Sequence, residues 1–180
     1  MQLKNYDNGN FDCGSSFIKR ALWLVINSLL LSSWIPGSGW RVMLLRVFGG
    51  SIGQGVVIKP GVNIKFPWRL VIGDYSWIGE GVWIDNLDEV VIGSNCCISQ
   101  GVYLCTGSHD WSVETFDLIT KPIHIKDSVW LCAKSVVGPG IIIHEGAILA
   151  LGSVANSALE GWKVYGGNPA VMKKNRAISK

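Results

Sequence analysis

The chain has 180 residues, nearly half of them hydrophobic and only 16% charged, with a net charge of +3. That length fits one domain with a core of its own. The mild charge, with no basic run outside a short tail, excludes a nucleic-acid binder.

In chain order, residues 1–16 read as a polar lead-in that opens "MQLKNYDNGNFD" and lacks the pattern of a signal peptide. Residues 17–48 read as one or two helices, split near "IPGSG" at 35–39. The apolar stretch "ALWLVINSLLLSSWI", residues 21–35, carries Asn27, Ser28, Ser32 and Ser33. It falls short of the ~20 apolar residues that a spanning helix needs. Two readings stay open: a helix packed on the protein's own body, or an interfacial helix making peripheral membrane contact through residues 17–35. Lys19 and Arg20 before the stretch and Arg41 and Arg46 after it suit the second.

From residue 50 to 159 an aliphatic beat runs through the chain. Its positions are Ile52, Ile58 and Ile64; Ile72, Ile78 and Ile84; Ile92, Ile98 and Leu104; Ile125, Leu131 and Val137; Ile143, Leu149 and Ala155. Within each triplet the step is six, and between the first three triplets it is eight. Four positions after an aliphatic residue a small or β-branched one recurs, as at Val62, Ser76, Cys96 and Ala147. A period of six is neither helical nor strand alternation. It suits a short strand plus a turn, with three units closing a triangular coil whose aliphatic residues line up in a column when coils stack. The expected fold is all-β: a parallel β-helix of about five coils, with residues 1–49 as a helical segment and 160–180 as a cap and tail. The spacing leaves the hand of the coil open.

The beat stops at "LCTGSHDW", residues 104–111, and resumes at Ile125, so residues 105–124 read as a loop thrown out of the coil with His109 at its start. The five cysteines (Cys13, Cys96, Cys97, Cys105 and Cys132) form no CxxC and are odd in number. They read as core residues in a reducing compartment, which favours the cytoplasm. His109, His124 and His144 are too far apart to offer the close pair of a zinc site, so no metal is expected.

"FGGSIGQGVVI" (48–58), "ISQGVYLCTGSHDW" (98–111), "LITKPIHIKDSVWL" (118–131) and "YGGNPAVMKK" (165–174) together resemble the hexapeptide-repeat acyltransferases. Within that family the likeness is to the sugar O-acetyltransferase branch and its colanic acid biosynthesis acetyltransferases, over nearly the full chain. The resemblance implies a left-handed β-helix and a cytoplasmic homotrimer, with active sites between subunits. It implies acetyl-CoA as co-substrate and a sugar or lipid-linked saccharide as acceptor. By resemblance His109 is the general base. Histidine titrates near neutral pH, and a positioned base contributes ~10²–10⁴ in rate. Direct transfer needs no covalent enzyme intermediate. Asp110, Asp117 or a backbone carbonyl could orient the imidazole.

The resemblance also implies that Asp85 and Asn86 contact the acceptor, although an Asp-Asn pair equally suits an ordinary turn. It places Trp130 beside the pantetheine arm, with Ala133, Gly152 and Ser153 on the following coils. It gives Lys173 and Lys174 the nucleotide phosphates. Trp77 and Trp83 point outward, as a subunit interface or a sugar platform. Rival readings are N-acetylation of an amino sugar, a free oligosaccharide or xenobiotic acceptor, and a catalytically silent structural β-helix.

Overall fold

A computed structural model describes residues 2–7 and 11–178. Its body is a three-faced prism of short parallel strands. The first face stacks strands at Ser51–Ile52, Leu70–Ile72, Val90–Ile92, Ile123–Ile125 and Ile142–Ile143. The second runs from Val57–Ile58 through Trp77–Ile78, Cys97–Ile98, Trp130–Leu131 and Ile148–Leu149 to Lys163–Gly166. The third stacks Asn63–Ile64, Trp83–Asp85, Tyr103–Cys105, Val136–Val137 and Val154–Ala155. Five coils are complete, and a sixth begins with Leu159 and the parallel strand Lys163–Gly166. Residues 163–166 of the segment read as a cap thus continue the parallel stack of the second face.

The register is the one the period of six demands. Ile52 pairs with Ile72, Ile72 with Ile92, Ile92 with Ile125 and Ile125 with Ile143. All fifteen residues of the beat are at most 8% exposed. The residues four positions later are buried at the corners, including Val62, Ser76, Cys96 and Ala147. Burying a column of Ile and Leu side chains gives roughly 1.5–3 kcal/mol for each, which is what makes stacking favourable when a single coil is not.

Two corners of each coil are tight. Between the second and third faces the turn residue has positive φ, and it is Gly61, Gly81, Gly101 and Gly152 in four of the coils. The corner between the third and first faces is different. The step of eight places two more residues there, and buried polar groups fill the extra width. Asn86 and Thr106 are fully buried one coil apart. The Asn86 amide donates to the carbonyls of Phe66 (2.6 Å) and Arg69 (3.2 Å) and accepts from the Phe66 N–H (2.9 Å). The Thr106 hydroxyl donates to the Asp85 carbonyl (3.0 Å) and accepts from the Asp88 N–H (3.0 Å).

Two helices precede the prism, as expected from the break near residue 35. Helix α1, Phe17–Ile26, is capped by the Ser16 side chain and continues as a π turn over Asn27–Leu31. Helix α2, Gly39–Val47, packs on the first coil. Arg41, one of the basic residues that flank the apolar stretch, is completely buried and so offers no charge to a membrane surface. Its guanidinium donates to the carbonyls of Leu31, Ser33, Ile35 and Gly37, tying off the turn between the helices. Among the described residues no helix is long and apolar enough to cross a membrane.

Candidate active site

The interruption of the beat is a β-hairpin. Strand Gly107–His109 pairs antiparallel with Leu118–Thr120, with Ser108 opposite Ile119 and His109 opposite Leu118. It is narrower than the loop expected over 105–124. Cys105 still pairs with Asp85, and Ile123 already pairs with Val90. The hairpin leaves the prism at the widened corner between the third and first faces.

His109 ends the first hairpin strand. Its Nδ1 lies 2.9 Å from the Phe116 carbonyl oxygen. A carbonyl can only accept, so Nδ1 donates this hydrogen bond and, in the neutral imidazole, Nε2 carries the lone pair. The Phe116 ring stacks on the imidazole at 4.3 Å with 2° between planes, and Tyr6 meets it edge-on at 5.6 Å. Phe116 holds φ +54, a conformation sparsely used by non-glycine residues. Asp110 has other partners for its carboxylate, and Asp117 takes part through its backbone carbonyl. Asp110 accepts from the Ser112 N–H and hydroxyl, which holds its carboxyl below the usual range. The Asp117 carbonyl accepts from the Asp110 N–H. The lead-in also takes part, since the Gln2 N–H donates to the Glu114 carbonyl at the hairpin tip (3.0 Å). Beside His109 lies a cleft of about 400 Å³ lined by Trp111, Ser112, Ile119, Lys121 and Pro139. Trp111, at the tip, is 84% exposed.

On the third face, below the hairpin, a groove of about 430 Å³ runs between α1 and the strands. Trp83, Trp68, Lys65 and Asp85 line it, with Trp23, Leu24, Asn27 and Ser28 on the helix side. Asp85 pairs with Lys65 (2.9 Å) and accepts from the Tyr103 hydroxyl (3.3 Å), while Trp83 stacks on Tyr103 at 4.7 Å. Burial, with Cys105 and Asp85 beside it, pushes the Tyr103 phenol up. Of the pair singled out in the sequence, Asp85 lines this groove. Asn86 points into the corner with both amide hydrogens given to backbone carbonyls.

The residues singled out for CoA lie elsewhere on the prism. Trp130 is on the second face, 43% exposed, and its indole N–H donates to Ser99 (2.9 Å). It lines a groove of about 350 Å³ with Trp77, Cys97 and Gln100. Ala133 and Gly152 stack at the next corner, where the Gly152 N–H donates to the Ala133 carbonyl (3.0 Å). Nothing lies within 4 Å of where a Gly152 Cβ would stand, so the corner has room for a slender ligand along the backbone. Ser153 is buried, its hydroxyl accepting from the Gly167 N–H (3.0 Å) in the tail turn. Lys173 and Lys174 are exposed on the strand Val171–Asn175, which pairs with Lys163–Gly166. Within one chain, then, His109 stands on one edge of the prism and the Trp130–Gly152–Lys173 set on another. Among the described residues no three His, Cys, Asp or Glu side chains gather to hold a metal.

No protein-family model matches the chain. A protein of Escherichia coli (strain K12) named "Putative colanic acid biosynthesis acetyltransferase WcaF" is 40% identical over 165 residues, covering 91% of this chain and 90% of that protein. The chain belongs to the hexapeptide-repeat acetyltransferases. Solved structures agree on the fold. A hexapeptide-repeat acetyltransferase of Vibrio cholerae O1 biovar eltor, complexed with acetyl coenzyme A, superposes with a TM-score of 0.84 at 24% identity over 97% of each chain. A galactoside acetyltransferase in complex with coenzyme A gives 0.79 at 20% identity over 88% of this chain and 80% of that one. The coil is the left-handed β-helix of this family, and the chain is an acetyltransferase.

Three contributors carried no sequence signal: the Phe116 carbonyl, Tyr6 in the lead-in, and Thr106 in the widened corner. A backbone carbonyl has no residue type to read, and Tyr6 reaches the site only through the fold.

Proposed function

We propose that this acetyltransferase moves the acetyl group of acetyl-CoA to a sugar hydroxyl in surface-polysaccharide biosynthesis, with His109 as general base. The observation that carries the reading is the imidazole itself. Its tautomer is fixed by the Phe116 carbonyl, which leaves Nε2 as the acceptor of a proton. Acetyl-CoA supplies the acetyl group as a reactive thioester. His109 Nε2 takes the proton from the attacking hydroxyl and returns it to the departing sulfur, so the enzyme ends the cycle unchanged. The groove on the third face takes the acceptor: Trp83 offers an aromatic platform and the Lys65–Asp85 pair offers hydrogen bonds to hydroxyls. Asn86 and Ser153, read from sequence as ligand contacts, we assign to the scaffold.

Trp130, Ala133, Gly152, Lys173 and Lys174 suit the donor, with an exposed indole, an open glycine corner and two free-standing ammonium groups. Because His109 and this set occupy different edges, the complete site needs two copies, His109 from one and the donor edge from its neighbour. A homotrimer about an axis parallel to the prisms provides this three times over. The exposed Trp111 at the hairpin tip fits such a contact.

The test is turnover of acetyl-CoA against hexoses, amino sugars and nucleotide sugars, with the product followed by mass, for the parent and His109→Gln. Acetylated hydroxyl product that falls by about 10²–10⁴ in the variant is expected. Equal turnover by His109→Gln would remove His109 as the base. N-acetylated product would overturn the acceptor class.

A further inference from the structure

The third-face groove holds a cation that the protein itself leaves without a counter-charge. Arg20, in the first turn of α1, is half-buried and lines the groove beside Trp23, Phe66, Trp68 and Trp83. Its Nη1 donates to the Cys13 sulfur (2.8 Å), a weak acceptor. Its Nε is buried with no partner, and its Nη2 bonds nothing among the described residues. The guanidinium stands 5.9 Å from the centre of the Phe17 ring. The ion pairs among the described residues, Lys65–Asp85 and Lys163–Glu160, do not include it.

Other basic side chains on this half of the prism have partners. Lys65 pairs with Asp85 (2.9 Å). Arg69 donates to the carbonyls of Asp12 and Leu87, and Arg46 to those of Ile52 and Gly53. Asp12, Asp88 and Glu89 line a separate hollow beside Arg69. With Arg20 and Lys65 against Asp85, the groove wall is therefore net positive. Lys19 adds to this from over the Trp68 ring (5.0 Å). A half-buried guanidinium that meets only a thiol and aromatic rings has given up hydration without recovering it. An anion carried by a ligand restores what is lost, and the planar fork suits a carboxylate or a phosphate.

We infer that this groove selects an acidic saccharide, with a carboxylate or phosphate of the sugar held by Arg20. The inference rests on the acceptor reading of the groove and adds a selection which that reading lacks. Trp83 and the other rings offer apolar faces to any sugar, and the Lys65–Asp85 pair serves hydroxyls in general. Arg20 alone distinguishes a charged unit from a neutral one.

Equilibrium binding to the full chain tests this without turnover. Tryptophan fluorescence gives the signal, and glucose, glucuronic acid and glucose 6-phosphate are the probes. The first two differ only at C6. Glucuronic acid should bind about tenfold or more tighter than glucose, the scale of one hydrogen bond to a charged group. In Arg20→Gln that ratio should fall to about one, and in Arg20→Lys it should persist in part. A ratio does not depend on the fraction of protein that is folded. In the parent, ~1 M salt should shrink it, since the Debye length is then about 3 Å. If glucose 6-phosphate alone outbinds glucose, the site stands with phosphate as its anion. Equal binding of all three sugars by the parent overturns the inference, as does a ratio that survives Arg20→Gln. So does a variant whose KM rises for acetyl-CoA while the sugar ratio holds, because the guanidinium would then serve the donor. Acetylation assays keep the two readings apart. Selective binding of acidic sugars with no acetyl transfer to any of them would leave the Arg20 site standing and remove the acceptor assignment. Transfer to neutral and acidic sugars with equal KM would do the reverse.

Discussion

Replacing Asn86 by alanine separates a scaffold role from an acceptor contact. Asn86 is fully buried and makes three hydrogen bonds to the backbone of the coil below: two donated to the Phe66 and Arg69 carbonyls and one accepted from the Phe66 N–H. A hydrogen bond contributes about 1 kcal/mol net, and a buried group left without a partner costs about 1–3 kcal/mol. Three bonds lost in one corner therefore amount to about 3–5 kcal/mol, the upper end applying if no water enters. For a chain of this length each kcal/mol moves the melting temperature by about 2–4 °C, so a fall of roughly 6–20 °C is expected. Thermal unfolding followed by circular dichroism at one fixed protein concentration measures it. Asn86→Asp should not rescue, because a carboxylate oxygen would face two carbonyl oxygens where the amide N–H groups now point. A residue that served the acceptor alone would behave in the opposite way. A melting temperature within about 2 °C of the parent's, together with a raised KM for the sugar, would refute the scaffold assignment.

Further expectations concern the imidazole, the two grooves and a thiol. Phe116→Gly keeps the positive φ at no cost and should retain most of kcat. Phe116→Pro forces φ near −65°, turns the carbonyl away and should approach the loss seen in His109→Gln; similar rates for the two variants would remove the carbonyl from the mechanism. Trp83→Ala should raise KM for the acceptor and Trp130→Ala KM for acetyl-CoA, each by up to about tenfold, with aromatic contacts worth ~0.5–1.5 kcal/mol beyond area; steady-state kinetics with either substrate varied would expose a swapped pattern. Burial pushes the Cys96 thiol up to about 11. Alkylation at about pH 8.5 followed by mass spectrometry should therefore spare Cys96 until the chain is unfolded. The sign of the linkage follows. The unfolded thiol ionises first as pH rises past its ordinary value of 9.0, so this group lowers stability between there and about 11 and has no effect below.

Much of the fold is legible because the period of six is a packing requirement. A residue that must enter the column declares itself by size, and each of the fifteen from Ile52 to Ala155 does so. The break itself was legible, and the structure puts His109 at the end of the first strand that leaves the prism there. The hairpin strands were not, since Gly107–His109 and Leu118–Thr120 are three residues each and too short to show alternation. Asn86 and Ser153, which we assign to the scaffold, show the opposite difficulty. Their side chains look like ligand contacts, but a buried corner needs polar groups to satisfy its own backbone, and residue type alone does not tell the two uses apart. The third-face groove is hidden for another reason, because half of its wall is α1, docked from far along the chain.

The hairpin's roots have a consequence for how such an enzyme can be altered. Cys105 stays in register with Asp85 and Ile123 with Val90, whatever lies between them. Lengthening the segment therefore leaves the column untouched, and each doubling of a flexible loop adds only about 0.6 kcal/mol of closure entropy. The corner works as a socket. The segment from Trp111 to Thr115, beyond the paired strands, can be exchanged while the hairpin strands that carry His109 and lead from the Phe116 carbonyl keep their pairing. A tip of five residues can thus be changed without asking the prism to refold around it.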